Sequence, residues 1–285
     1  MKKLLYATFV IFPLVSACSS NHDAGGKEEK KQEMGHSEEH AKEHEHAKEH
    51  EHADGEGHAE IHWGYEGAGG PEHWGDLKPE FATCKEGKSQ SPIDIETGKV
   101  VKAELPAIEF HYQEAPLSVV NNGHTIQVNY PAGSSIKVGD ATYELLQFHF
   151  HTPSEHTVDG KPFAMVAHLV HKNADGGLGV VGVLMKEGNS NPAIETIWKV
   201  MPKKAGEKVE SAEIKISASA ILPENHSYYN YSGSLTTPPC TEGVNWMVLQ
   251  TPIDVSKEQV AALAALFKNN ARPVQPLNGR EVKAN

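Results

Sequence analysis

The run Tyr143-Glu144-Leu145-Leu146-Gln147-Phe148-His149-Phe150-His151 (YELLQFHFH) decides how this chain is read. Polar and apolar residues alternate along it, and on a β-strand residues i and i+2 point to the same side. Gln147, His149 and His151 therefore share one face. Leu146, Phe148 and Phe150 form the opposite, apolar face, suited to burial. Two imidazoles one pleat apart are well placed to chelate one ion. An H-x-H pair alone is a weak signal, because two half-exposed strand histidines have the same pattern.

A second run, Ala164-Met165-Val166-Ala167-His168-Leu169-Val170-His171, strengthens the metal reading. Val166, His168 and Val170 share one face, and His171 points to the other. If this strand neighbours the first, His168 completes a three-His site. Three protein nitrogens and one open position are the pattern of catalytic zinc. Structural zinc is usually closed by four ligands that include Cys.

Outward from these two runs, short β-rich segments recur between Gly, Pro, Asn and Asp. Strands are expected at 117–120, 125–130, 135–138, 144–151, 164–171, 179–185 and 244–250. Asn122-Gly123 and Val138-Gly139-Asp140 are turn signals. A short helix is expected at 192–200. Ser256-Lys257-Glu258-Gln259 is a capping box that opens an Ala/Leu-rich helix to about Phe267. Strands do not alternate with helices, which disfavours a doubly wound parallel sheet. The expectation is a mainly β domain over 63–285, with a few short helices around a broad, mostly antiparallel twisted sheet.

The 285 residues carry 26 basic and 38 acidic side chains, a net charge of −12. That balance excludes non-specific nucleic-acid binding, which needs a basic footprint. The charge and histidine content are uneven. Residues 19–62 hold 9 of the 18 His, 13 acids and 5 Lys, with almost no large apolar side chains. Such a segment cannot offset the entropy of ordering, so disorder is expected over 18–62. AKEHEH occurs in tandem at 41–46 and 47–52. His36, His40 and His44 are four apart, as are His46 and His50, so weak multi-site Zn²⁺ binding and a plain solvated tether are both open readings.

Residues 1–17 have a positive n-region at Lys2 and Lys3 and a short apolar stretch, the signature of a secretory signal. Val15-Ser16-Ala17-Cys18 resembles a bacterial lipoprotein box, which implies a lipid on Cys18; an ordinary signal with an incidental Cys is the alternative. The expected location is therefore the periplasmic or cell-surface side of a membrane, reached through lipid chains. Cys84 and Cys240 would then be the only thiols in an exported domain. An oxidising compartment makes a disulfide between them the default, against two free thiols.

GPEHWGDL (70–77), QSPIDI (90–95), NNGHT (121–125), QFHFHTPSEHTVDG (147–160), HLVHKNADG (168–176), YSGSLTTPPCTEG (231–243) and RPVQPLN (272–278) occur in the order found in α-class carbonic anhydrases. The chain resembles a bacterial, secreted member of that family. The resemblance implies the α-carbonic-anhydrase fold and a Zn²⁺ enzyme. Its reaction is reversible hydration of CO₂ to bicarbonate and a proton, by attack of a zinc-bound hydroxide.

On the resemblance, His149, His151 and His168 are zinc ligands and Gln147 orients the first of them. Thr236 accepts a hydrogen bond from the hydroxide and donates its own proton to Glu155. Val170, Val180, Leu235, Thr237 and Trp246 line the CO₂ pocket. His124 is the proton shuttle, with an exposed imidazole of ordinary pKa, about 6.5. Tyr65, Asn122 and Gln127 line the ordered-water path.

One position departs from the family. Two residues before the third ligand, where relatives commonly have a Glu that orients the imidazole, stands Val166. His168 then needs another acceptor, such as water or a backbone carbonyl, and weaker zinc retention is expected. The His-rich segment would then serve as a local zinc reserve.

The partners expected are CO₂ and bicarbonate, a membrane through Cys18, extra Zn²⁺ on the His-rich segment, and a second copy of the chain. The alternative function is a membrane-anchored zinc-buffering lipoprotein, with the His-rich segment as its active part.

Overall fold

The computed structural model describes residues 61–285. The signal segment 1–17, Cys18 and all but the last two residues of the 18–62 segment lie outside the described residues.

The expected alternation builds one large sheet of 13 strands. Across it the order is Lys208–Ile216, Ala115–Asn121, Ile126–Asn129, Ala141–His151, Met165–Asn173, Leu178–Glu187, Glu242–Leu249, Tyr228–Ser234, Lys283–Ala284 and Val101–Lys102. Most neighbours run antiparallel; Leu178–Glu187 pairs in parallel with Glu242–Leu249 and with Ile253–Val255. The seven expected strands are all present, several of them longer than expected. The polar Lys208–Ile216 strand and the Gly- and Tyr-rich Tyr228–Ser234 strand were not anticipated. Neither carries a β-type alternation of buried apolar residues, and the first pairs only at the sheet edge.

Both faces of the sheet are covered. Phe148, Phe150, Leu169, Val181 and Val183 belong to one core, closed over by Ile194 and Ile197 of the helix Pro192–Val200. Asn191 caps that helix by accepting from Ala193 N and Ile194 N. The expected capping box forms too, with Ser256 and Gln259 bonding reciprocally, and the helix runs Lys257–Ala264. On the other face, Val166, Val170, Val180, Val248 and Trp246 form a second core.

Strict alternation fails at one point in the deciding run. Val170 pairs with Gln147, but the next residue, His171, pairs with Leu145. Leu146 is the extra residue of a β-bulge. It turns outward, 41% exposed, while Leu145 takes the core position at 1%. Leu146 is thus not part of the buried face it was expected to share with Phe148 and Phe150.

Candidate active site

The register of two strands assembles the site. His168 is the direct cross-strand partner of His149, and Val166 is the partner of His151. His149 meets both other imidazoles edge to face, His151 and His168 are tilted at 47°, and one nitrogen from each of the three lies within 4.8 Å of the others. Ring centroids are 5.0 Å apart for His149 and His151, and 4.8 Å for His151 and His168.

Partners behind two of the rings fix which nitrogen points inward. His149 Nδ1 is 2.8 Å from Gln147 Oε1. His151 Nδ1 is 2.6 Å from the backbone oxygen of Asn270. Both acceptors require an N–H at Nδ1, which leaves the Nε2 lone pairs for a ligand. His151 Nε2 is buried with no hydrogen-bond partner among the described residues. His168 presents its Nδ1 edge to the same centre, 3.6 Å from Glu155 Oε2, which is also 3.5 Å from His151 Nε2. Burial pushes the His149 and His168 imidazoles well below the usual range, so they are neutral. A three-nitrogen set with two fully buried imidazoles and one side toward a cavity fits a divalent cation of the zinc type.

Glu155 lies within the same buried cluster. Its Oε1 accepts from the backbone N–H of Arg272 at 2.9 Å. Burial raises its pKa, opposed by His151, by a hydrogen bond from the Thr236 hydroxyl and by Arg272. Thr236 sits on a loop closed by Leu235 N to Thr241 O and Cys240 N to Thr237 O, both 2.9 Å. The Cys84–Cys240 disulfide is formed and ties that loop to the N-terminal part of the domain. Arg272 reinforces the tie by donating to Gln90 Oε1, Ser91 O and Cys84 O.

The cavity over the histidines has a volume of about 140 Å³. Among its lining residues are Tyr65, Asn122, His124, Gln127 and Thr237, so the expected water-path residues share one space with His149 and His151. Val170, Val180 and Trp246 stand in one row across three strands, Val180 being the partner of both others, with Leu235 packed against them.

His124 departs from expectation. It is half-buried, with Trp63 stacked on it at 3.6 Å and 9° and His62 at 5.2 Å and 10°. Burial, with His62 beside it, lowers its pKa to about 4. The ring is therefore a weaker base in this position than a free imidazole.

Asn270 escaped the sequence reading. It is fully buried; its backbone oxygen takes His151, its side chain accepts from Thr152 N, and it donates to the backbone oxygens of His124 and Phe150. One residue thus ties the second histidine to the strand ends. A single Asn in a loop has no periodicity to reveal it.

A sheet that brings three imidazoles together beside a cavity, with a Thr–Glu pair next to them, defines a site that could hold a metal ion. Residues 69–285 match the eukaryotic-type carbonic anhydrase family, and the chain belongs to that family. It is 47% identical to a carbonic anhydrase of Nostoc sp. over 225 residues, covering 78% of this chain and 85% of that one. It is 47% identical to one from Neisseria gonorrhoeae over 223 residues, 78% and 87% of the two chains. Among solved structures it is similar to the α-carbonic anhydrase of Thermovibrio ammonificans, bound to sulfanilamide. The TM-score is 0.76 and the identity 49%, over 78% of this chain and 98% of that one.

Proposed function

We propose that the chain is a Zn²⁺-dependent enzyme for the reversible hydration of CO₂ to bicarbonate. The observation that carries this is the three-nitrogen cluster within 4.8 Å, with the Thr236–Glu155 pair beside it. Zn²⁺ in carbonic anhydrases brings the pKa of a water ligand to about 7, a known property of the family that supplies a nucleophile at neutral pH. His149, His151 and His168 would hold the ion.

The remaining chemistry belongs to the side chains. The Thr236 hydroxyl donates to Glu155, so its oxygen is free to accept a hydrogen bond from the attacking water and to aim its lone pair. Ionised Glu155 is needed for this, and a cation among the three histidines offsets the burial that otherwise favours its neutral form. CO₂ has no net charge or dipole, so the apolar row of Val170, Val180, Leu235 and Trp246 suits it, with Thr237 at the edge. His124 takes the proton toward solvent along the cavity lined by Tyr65, Asn122 and Gln127. Export, with a lipid on Cys18, would place the reaction at a membrane surface.

The test is the CO₂ hydration rate of the full chain as isolated, after chelation, and after Zn²⁺ is restored. Fast, chelator-sensitive and recoverable activity is expected, with one bound ion per chain that is lost from His149→Ala. Several weak sites confined to 19–62 and no CO₂ hydration would establish the zinc-buffering function instead.

A further inference from the structure

Two buried imidazole nitrogens, His168 Nε2 and His156 Nδ1, have no hydrogen-bond partner among the described residues. Neither residue is more than 1% exposed, and the two rings are 6.1 Å apart at 79°. Neither lines the cavity over the metal centre. The orphaned His151 Nε2 is accounted for as a metal-facing lone pair. These two nitrogens are not.

Counting protons identifies what they are. His168 Nδ1 faces the metal centre and Glu155, so a ligating His168 carries its hydrogen on Nε2. His156 Nε2 is 2.6 Å from Tyr231 Oη, which is 2.8 Å from Ser91 Oγ. Ser91 Oγ already accepts from Ser234 N at 3.0 Å, and its other partner among the described residues is Tyr231. Both hydroxyl hydrogens find an acceptor only if Ser91 donates to Tyr231 and Tyr231 donates to His156 Nε2. His156 then carries its hydrogen on Nδ1. Both orphans are therefore N–H donors.

Val166 shares the strand face of His168, is fully buried, and offers no acceptor. No backbone carbonyl takes over, so the strongest acceptor left to these donors is a neutral water. A neutral partner polarises an imidazole less than a carboxylate does, and the metal bond weakens accordingly.

We infer that position 166 sets how long this centre keeps its metal: Val166 leaves the N–H groups of His168 and His156 without a protein acceptor, making the ion readily exchangeable. Val166 is thus a positioning determinant that acts through His168 and His156. The inference rests on the three-histidine reading above.

The test uses the full chain loaded with Co²⁺, whose visible bands report a three-nitrogen centre. Release into excess chelator is followed for the native chain, Val166→Glu, Val166→Thr and Val166→Ala. Val166→Glu puts a carboxylate on the strand face of His168, and release should slow by about 10- to 100-fold. Val166→Thr keeps the volume and adds one hydroxyl acceptor fixed to the strand, which orients the His168 ring as a mobile water does not; it should slow release several-fold. Val166→Ala should not slow it. Native-rate release from folded, loaded Val166→Glu overturns the inference. If that variant does not fold, native-rate release from Val166→Thr overturns it. Absence of cobalt bands in the native chain would instead defeat the metal-centre reading itself.

Discussion

Trp63 lies flat on His124, ring centroids 3.6 Å apart and planes 9° from parallel. The stack, with His62 beside it, half-buries His124, and this burial lowers its pKa to about 4. A carrier works best when its pKa lies near the working pH. Trp63 and His62 therefore govern how well His124 accepts a proton at neutral pH.

Replacing His62 with Ala removes the imidazole stacked beside His124 and part of its cover. The His124 pKa should rise toward the ordinary imidazole value, read by NMR titration. The proton-transfer-limited rate of CO₂ hydration near pH 7 in dilute buffer should rise with it. An unchanged His124 titration would show that His62 has no part in the shift.

The same shift carries a sign for stability. A histidine whose folded pKa is below its unfolded value binds its proton more readily when unfolded, so it destabilises the fold as pH drops. Between about pH 6.5 and 4 the native chain should lose thermal stability faster than His124→Asn. The two melting curves should differ least above pH 7. Equal pH slopes would contradict the shift.

Thr236→Val keeps the shape of the loop residue and removes the hydroxyl. Glu155 loses the hydrogen bond that favours its ionised form. The value of kcat/KM for CO₂ hydration should fall by roughly 10- to 100-fold, the usual cost of losing an orienting partner beside a metal. Metal content should remain that of the native chain.

Asn270→Ala leaves Thr152 N without its acceptor in a buried position and removes two donor contacts. A buried group left unsatisfied costs about 1–3 kcal/mol. Denaturant unfolding should show a loss of about 2–4 kcal/mol, summed over these contacts. The bond from His151 to the Asn270 backbone survives the change, so metal binding should persist at low temperature.

Cys84 and Cys240 are 156 residues apart in sequence. Chain-entropy reasoning puts a crosslink of that span at about 5 kcal/mol at most. Replacing both with Ser should lower stability by a few kcal/mol and loosen the loop that holds Thr236. Activity should therefore become more temperature-sensitive than metal retention, as measured on the same preparations.

The reach of sequence reasoning differs from element to element. The H-x-H face and the second histidine run were visible because a strand repeats every two residues. The capping box at Ser256 was visible because its partners are three residues apart. Lys208–Ile216 was invisible because an edge strand with little burial needs no apolar alternation. Leu146 was misplaced because a bulge shifts the alternation by one residue, and only pairing with the neighbouring strand shows the shift.

Local spacing in the sequence by itself determined the strand-rich class, the shared face of His149 and His151 and the helix caps, since these depend on residues a few positions apart. Tertiary structure alone decided that His168 stands opposite His149, that Asn270 holds His151 and that His124 lies under Trp63. It also decided that His168 Nε2 and His156 Nδ1 lie buried without a hydrogen-bond partner among the described residues. Those facts depend on register and on contacts between distant segments. They come from burying both faces of one sheet at once, which no local pattern encodes.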